Sequence, residues 1–247
     1  MIERTQKQPD YGARARIGVA VPFSNPTVEP EMRALLPASI AVYATRLVHP
    51  AERVEERLHH YMHHLPEAIA TFGVMRLAAF GFGCTGSSYL ATAAEEDRLT
   101  AAAQAATGVP VVTAAQAIRS ALATIGARRI ALVAPYPAAL AEAGCRYWQA
   151  TGFEVCGKLR VDPALTDTHA IYELTSDDAL AALRAVDRTE ADCIVASGTG
   201  MPTLRALRRL AGELPIPVIS SNLCLAWALL RQAAPELAPA APPQLLL

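Results

Sequence analysis

Three short segments of this chain occur twice, in the same order, at an offset of roughly 110 residues, far longer than the period of a solenoid repeat. Arg16-Ile17 through Val21-Pro22-Phe23 resembles Arg129-Ile130 through Ala134-Pro135-Tyr136. Gly83-Cys84-Thr85-Gly86 resembles Ser197-Gly198-Thr199-Gly200. Val109-Pro110-Val111-Val112-Thr113 resembles Ile216-Pro217-Val218-Ile219-Ser220, and an apolar helical pattern follows each. Three matches in register argue for a duplicated unit. A chain so built folds as two similar lobes about a pseudo-twofold axis, with equivalent loops facing each other.

The unit is α/β. Short apolar runs, most of them β-branched, at 17–21, 40–45, 77–82, 109–112, 130–134, 154–159, 193–196 and 218–220 alternate with helical patterns at 52–72, 91–106, 115–125, 138–150 and 177–186. Such alternation predicts βαβ units, in which mostly parallel strands are covered by helices. The reading is two pseudo-symmetric lobes, each a short sheet flanked by helices, with an active site between them. Residues 16–113 with part of 220–232 form the first lobe, and 114–219 the second. Residues 1–15 are polar and patternless, and 233–247 are rich in Pro and Ala, so both are expected as flexible tails. In open parallel sheets ligands sit beyond the carboxyl ends of strands, which places a ligand between the lobes.

Composition excludes several functions. Hydrophobic residues make up 52% and charged residues 18%, so the 247 residues can bury a real core rather than stay disordered. The net charge of -1 comes with no basic stripe, which speaks against nucleic acid as a partner. The N-terminus has no apolar core of a signal peptide, and no stretch is apolar enough to span a bilayer. A soluble, cytoplasmic protein without a membrane partner is expected. Cys84, Cys145, Cys156, Cys193 and Cys224 contain no CxxC pair, so reduced thiols are expected and no zinc knuckle. Walker A and GxSxG patterns do not occur, and no cofactor is expected.

Cys84 ends a hydrophobic strand and opens the turn Cys84-Thr85-Gly86-Ser87-Ser88 before a helix. Amides at a helix start favour negative charge and lower a thiol's pKa. The amides and the hydroxyls of Thr85, Ser87 and Ser88 suit a carboxylate; the plain alternative is a buried cysteine in a small-residue turn. The equivalent turn has Gly198 in place of the thiol and keeps Thr199 and Gly200, so it suits an anion but cannot exchange a proton. Asn25 and Tyr136 lie at two further strand ends as neutral donors. Asn222 is expected as a helix cap. His59/His63 and His60/His64 are one helical turn apart, which could seat an ion, but no third ligand is apparent. A solvated helix face is the expectation there, and no metal.

Taken together, Pro22-Phe23-Ser24-Asn25 to Glu29-Pro30, the Cys84-Thr85-Gly86-Ser87 turn, Val133-Ala134-Pro135-Tyr136 and Ser197-Gly198-Thr199-Gly200 resemble the aspartate/glutamate racemase superfamily. The nearest branches are maleate cis-trans isomerase and arylmalonate decarboxylase. The similarity runs from about residue 16 to residue 232. It implies two lobes, an enzyme without metal or cofactor, a small dicarboxylate as substrate and, in some relatives, a homo-oligomer. It implies Cys84 as catalytic residue, with Asn25, Thr85, Gly86, Ser87, Tyr136, Gly198, Thr199 and Gly200 as substrate-binding residues. Racemases and maleate isomerases of this superfamily use one cysteine per lobe, and here Gly198 stands where the second belongs. The decarboxylase branch keeps only the second, so this chain looks like its mirror image. One thiol suffices to protonate the enediolate left by decarboxylation of a malonate-type acid, and this is the leading expectation. The alternatives are maleate-type isomerisation with Cys84 as nucleophile, racemisation, or dicarboxylate binding without turnover.

Overall fold

The central strands of this chain are short and apolar on both faces, the pattern of a parallel sheet covered on each side. The computed structural model describes residues 9–243. Its first part contains β1 (Ala15–Pro22), α1 (Val28–Leu35), β2 (Ile40–Leu47), α2 (Val54–His63), α3 (Leu65–Ala70), β3 (Ala79–Phe82), α4 (Thr85–Leu90), α5 (Ala93–Thr107), β4 (Val111–Thr113) and α6 (Ala114–Ile125). The second contains β5 (Arg129–Ala134), α7 (Ala138–Ala150), β6 (Glu154–Arg160), α8 (Ser176–Ala185), β7 (Cys193–Ala196), α9 (Leu204–Leu210), β8 (Val218–Ser220) and α10 (Ser221–Ala233).

The strands form two four-stranded sheets of order β2-β1-β3-β4 and β6-β5-β7-β8, with every pairing parallel. The identical order is the structural counterpart of the repeat. In each sheet the two central strands end side by side, and their carboxyl ends carry the four loops singled out in the sequence. Helix ends are fixed by local chemistry. Thr113 and Gln116 form a reciprocal capping box at the start of α6, and Thr175 and Asp178 do so for α8.

Four expectations need correction. The helix expected over 52–72 is two helices, because Pro66 lacks an N–H and its ring collides with the preceding turn; it is tolerated only in the first turn of α3. Residues 114–125, assigned to the second lobe, form α6, which packs on α10, β4 and α4. Of the expected C-terminal tail, residues 233–243 are packed: a 3-10 turn spans Pro235–Leu237, and the Trp227 indole donates to the Pro239 carbonyl at 2.9 Å. Of the expected N-terminal tail, Ala15 belongs to β1, the Arg14 amide donates to the Ser39 carbonyl at 3.1 Å, and the Arg14 side chain pairs with Glu236. The remainder of both segments lies outside the described residues. Among the described residues no helix is long and apolar enough to cross a membrane.

Candidate active site

The carboxyl ends of β1, β3, β5 and β7 meet in a cleft of about 530 Å³, counted out to its mouth. Asn25, Cys84, Thr85, Gly86, Tyr136, Thr199 and Gly200 line it. The lobes are pinned across it by polar contacts. The Asn25 Nδ2 donates to Thr199 Oγ1 at 3.3 Å, and that hydroxyl donates to the Gly83 carbonyl at 2.7 Å. The Thr27 hydroxyl donates to the Gly200 carbonyl at 2.7 Å. Asn25 also caps: its Oδ1 accepts the amides of Thr27 at 2.9 Å and Val28 at 3.2 Å, so the start of α1 fixes its orientation.

Cys84 precedes α4 and is 5% exposed. Its Sγ accepts the Ser87 hydroxyl at 3.2 Å. Burial raises the thiol pKa, and the Ser87 hydroxyl and the amides of Ser87 and Gly86 offset only part of that rise. This corrects the expected lowering of the thiol pKa: at a short helix start in a buried position, desolvation outweighs the amide dipoles. The resting group is a neutral thiol. It is set among the phenols of Tyr136, Tyr61 and Tyr172, whose pKa values its charge would raise further. Burial pushes Tyr61 up to about 12 and moves Tyr136 and Tyr172 upward as well, so all three are neutral donors.

The Tyr136 ring stands edge-on to Tyr89, with centroids 5.9 Å apart. Behind it, Ser197 Oγ lies 2.7 Å from the Tyr89 hydroxyl, which also accepts the Trp148 indole N–H at 2.9 Å. These interlocked rings make a rigid wall.

Two expected binding residues are turned away from the cleft. The Ser87 hydroxyl is committed to Cys84, and the Gly198 amide donates to Ser221 Oγ at 3.0 Å. Gly198 also adopts φ +95°, a left-handed conformation. A Cβ there would lie 2.6 Å from Pro135 Cγ, 2.9 Å from its Cδ and 3.5 Å from the Tyr136 hydroxyl. The backbone at this turn is therefore shaped for glycine, and a second thiol does not fit without a shift.

Asn222 is not a cap. Ser220 caps α10, while Asn222 Nδ2 donates to Glu31 at 2.8 Å and to the Thr199 carbonyl at 3.1 Å. The histidines of α2 stack in pairs, His59 on His63 with centroids 3.9 Å apart and His60 on His64 at 3.7 Å, and His63 Nε2 lies 3.2 Å from Glu95. Three lie on α2 and His64 follows its end, but none lines the cleft, whereas Arg57, Leu58 and Tyr61 do. Those three escaped the sequence reading although their i, i+1, i+4 spacing marks one helix face. The cleft is closed above by His169, Ile171 and Tyr172 from the segment between β6 and α8, with Phe23 edge-on to the His169 ring at 5.6 Å. No pattern in the sequence announces that roof.

The sequence model of the arylmalonate decarboxylase family matches residues 17–246. The maleate isomerase of Nocardia farcinica is 30% identical over 237 residues, covering 87% of this chain and 89% of that protein. The arylmalonate decarboxylase of Bordetella bronchiseptica is 31% identical over 163 residues, 60% of this chain and 62% of that one. A solved structure of the Nocardia farcinica maleate cis-trans isomerase with a covalently bound succinylcysteine intermediate superposes with a TM-score of 0.81 at 28% identity, covering 94% of this chain and 98% of that chain. The chain belongs to the arylmalonate decarboxylase family, in the branch of the aspartate/glutamate racemase superfamily that includes the maleate isomerases, and is a cysteine-dependent isomerase or decarboxylase.

Proposed function

We propose that the protein decarboxylates a substituted malonate-type acid and that Cys84 protonates the resulting enediolate. The observation that carries this reading is the single buried, protonated thiol facing a rim of neutral donors, with Gly198 in place of a second thiol. One carboxylate of the substrate is held at the lobe junction by the Tyr136 phenol and by the Asn25 Nδ2 N–H not used on Thr199, since the hydroxyls of Thr85 and Thr199 already donate to Ser221 and to the Gly83 carbonyl. The other faces apolar walls such as Leu58, Leu140 and Ile171, where a charged carboxylate is poorly solvated and neutral CO₂ is not. The bond from the α-carbon to that carboxylate breaks, and its electron pair becomes an enediolate stabilised by the donors already in place. The Cys84 S–H proton passes to the α-carbon, and the thiolate takes a proton from water.

Proton delivery is one-sided. Beyond the Pro135 ring, the polar group on the Gly198 side is the Tyr136 phenol, which its raised pKa keeps protonated, a donor of hydrogen bonds and a poor base. That speaks against racemisation, which needs a base on one face and an acid on the other. Removing the thiol as Cys84→Ala tests the assignment. Turnover of every accepted malonate falls by at least about 10²-fold, the scale of a lost general acid; an unimpaired variant sinks the assignment.

A second reading has specific support. The Nocardia relative, similar along nearly its whole length, is a maleate isomerase, and its structure holds a succinylcysteine. In that reading the Cys84 thiolate adds to the double bond of a maleate-like acid, the new single bond rotates, and elimination gives the trans product. Intact-protein mass spectrometry separates the two, because only addition leaves an adduct on Cys84.

A further inference from the structure

Arg57 has no task in the decarboxylation just described. It projects from α2 into the cleft beside Leu58 and Tyr61, and is 7% exposed. Its Nη1 donates to the carbonyls of Ala51, at 3.0 Å, and Glu52. Among the described residues its Nε and Nη2 have no protein acceptor, and no carboxylate lies within ion-pair distance of it. Asp167 is an acid that feels its charge, but that carboxylate is engaged by the His169 amide at 3.0 Å and the His169 ring at 3.5 Å. Tyr61 and Tyr172 beside it are neutral. A guanidinium that lines a narrow cleft with no anion paired to it offers a planar fork that matches a carboxylate entering from that cleft.

The carboxylate that leaves is the wrong partner for it. An ion pair to that group stabilises the ground state and is lost as CO₂ forms, so it slows the reaction. We propose that Arg57 is a specificity-determining residue that receives a further carboxylate, one the product retains. The substrate is then a malonate whose substituent itself ends in a carboxylate, of the ethane-1,1,2-tricarboxylate type. This inference rests on the decarboxylase reading. In that substrate the bond to one geminal carboxylate breaks, CO₂ departs, the Cys84 proton forms the new C–H bond, water reprotonates the thiolate, and succinate is the product. Arg57 touches only the carboxylate at the far end.

The test follows the full-length protein by proton NMR with ethane-1,1,2-tricarboxylate, ethylmalonate and phenylmalonate, as wild type, Arg57→Met and Arg57→Lys, each checked for folding by circular dichroism. The wild type prefers the tricarboxylate by about a hundredfold in kcat/KM, the scale of a buried charge pair. Arg57→Met loses that preference chiefly through KM, and Arg57→Lys keeps part of it. Equal rates for all three acids in the wild type, or the same preference in Arg57→Met, overturn the assignment while leaving the decarboxylase reading intact. Absence of turnover with every malonate defeats the decarboxylase reading instead. Arg57 is then judged by binding of propane-1,2,3-tricarboxylate and succinate. A rise in Tm in the wild type that Arg57→Met lacks upholds the carboxylate site, and equal rises overturn it. Should Arg57→Met fail to fold, Arg57→Lys and Arg57→Gln carry the same comparison.

Discussion

Glu31→Ala removes the buried carboxylate that ties α1 to the second lobe. Glu31 Oε1 accepts the Thr203 amide at 2.5 Å and the Leu204 amide at 2.6 Å, where α9 begins; Oε2 accepts Asn222 Nδ2 at 2.8 Å and the Thr203 hydroxyl at 3.2 Å. Alanine leaves two amides and one side-chain amide without that acceptor. Each stranded donor costs about 1–3 kcal/mol. The lower figure applies, because burial raises the Glu31 pKa and removing the charge returns part of its desolvation cost. The sum is about 3 kcal/mol, and at about 2–4 °C per kcal/mol for a chain of this size Tm falls by about 6–12 °C. Asn222 also holds the Thr199 carbonyl at 3.1 Å, so turnover drops together with stability. Differential scanning calorimetry at neutral pH, paired with activity on the same preparation, reads both. A melting point within about 2 °C of wild type refutes the reasoning that Glu31 clamps the lobes.

Three further outcomes follow from the site. Because burial raises the Cys84 thiol above its ordinary 9.0, the proton-donating form persists through neutral pH; kcat/KM is flat there and falls on the alkaline side, whereas a nucleophilic thiolate gives a rate that climbs with pH. Gly198→Cys forces a side chain onto a φ of +95° and into Pro135, and urea denaturation shows a loss of about 2 kcal/mol or more; an unchanged midpoint contradicts the account of that turn. Tyr136→Phe removes a neutral donor from the enediolate rim and lowers kcat by about 10²–10³-fold. A change confined to KM assigns Tyr136 to ground-state binding instead.

Short apolar runs located all eight strands, most clearly the central ones, because a strand buried on both faces has nowhere to put a polar side chain. Repeats in the chain foretold two sheets of one order, and with them the four loops that meet at Asn25, Cys84, Tyr136 and Thr199. Pro66 carried the signal for the break between α2 and α3, but the apolar pattern around it masked the interruption. What escaped depends on contacts distant in sequence. Arg57 reads as one charge on an amphipathic helix until the fold sets it against Tyr172. The direction of the Cys84 pKa shift was misjudged for the same reason: the turn's amides are visible in sequence, while the phenols and apolar walls that desolvate the thiol arrive from α2, the end of β5 and the roof segment. The packing of residues 233–243 likewise depends on Trp227 and Arg14, and a run of Pro and Ala does not announce either.

The central claim is that one thiol protonates one face of an enediolate. Proton NMR in D₂O, with chelator present and with substituted malonates and maleate offered in parallel, tests it most directly. The account predicts a substituted acetate carrying one deuterium at the α-carbon, with maleate unchanged. Fumarate formed from maleate, with every malonate left intact, contradicts it.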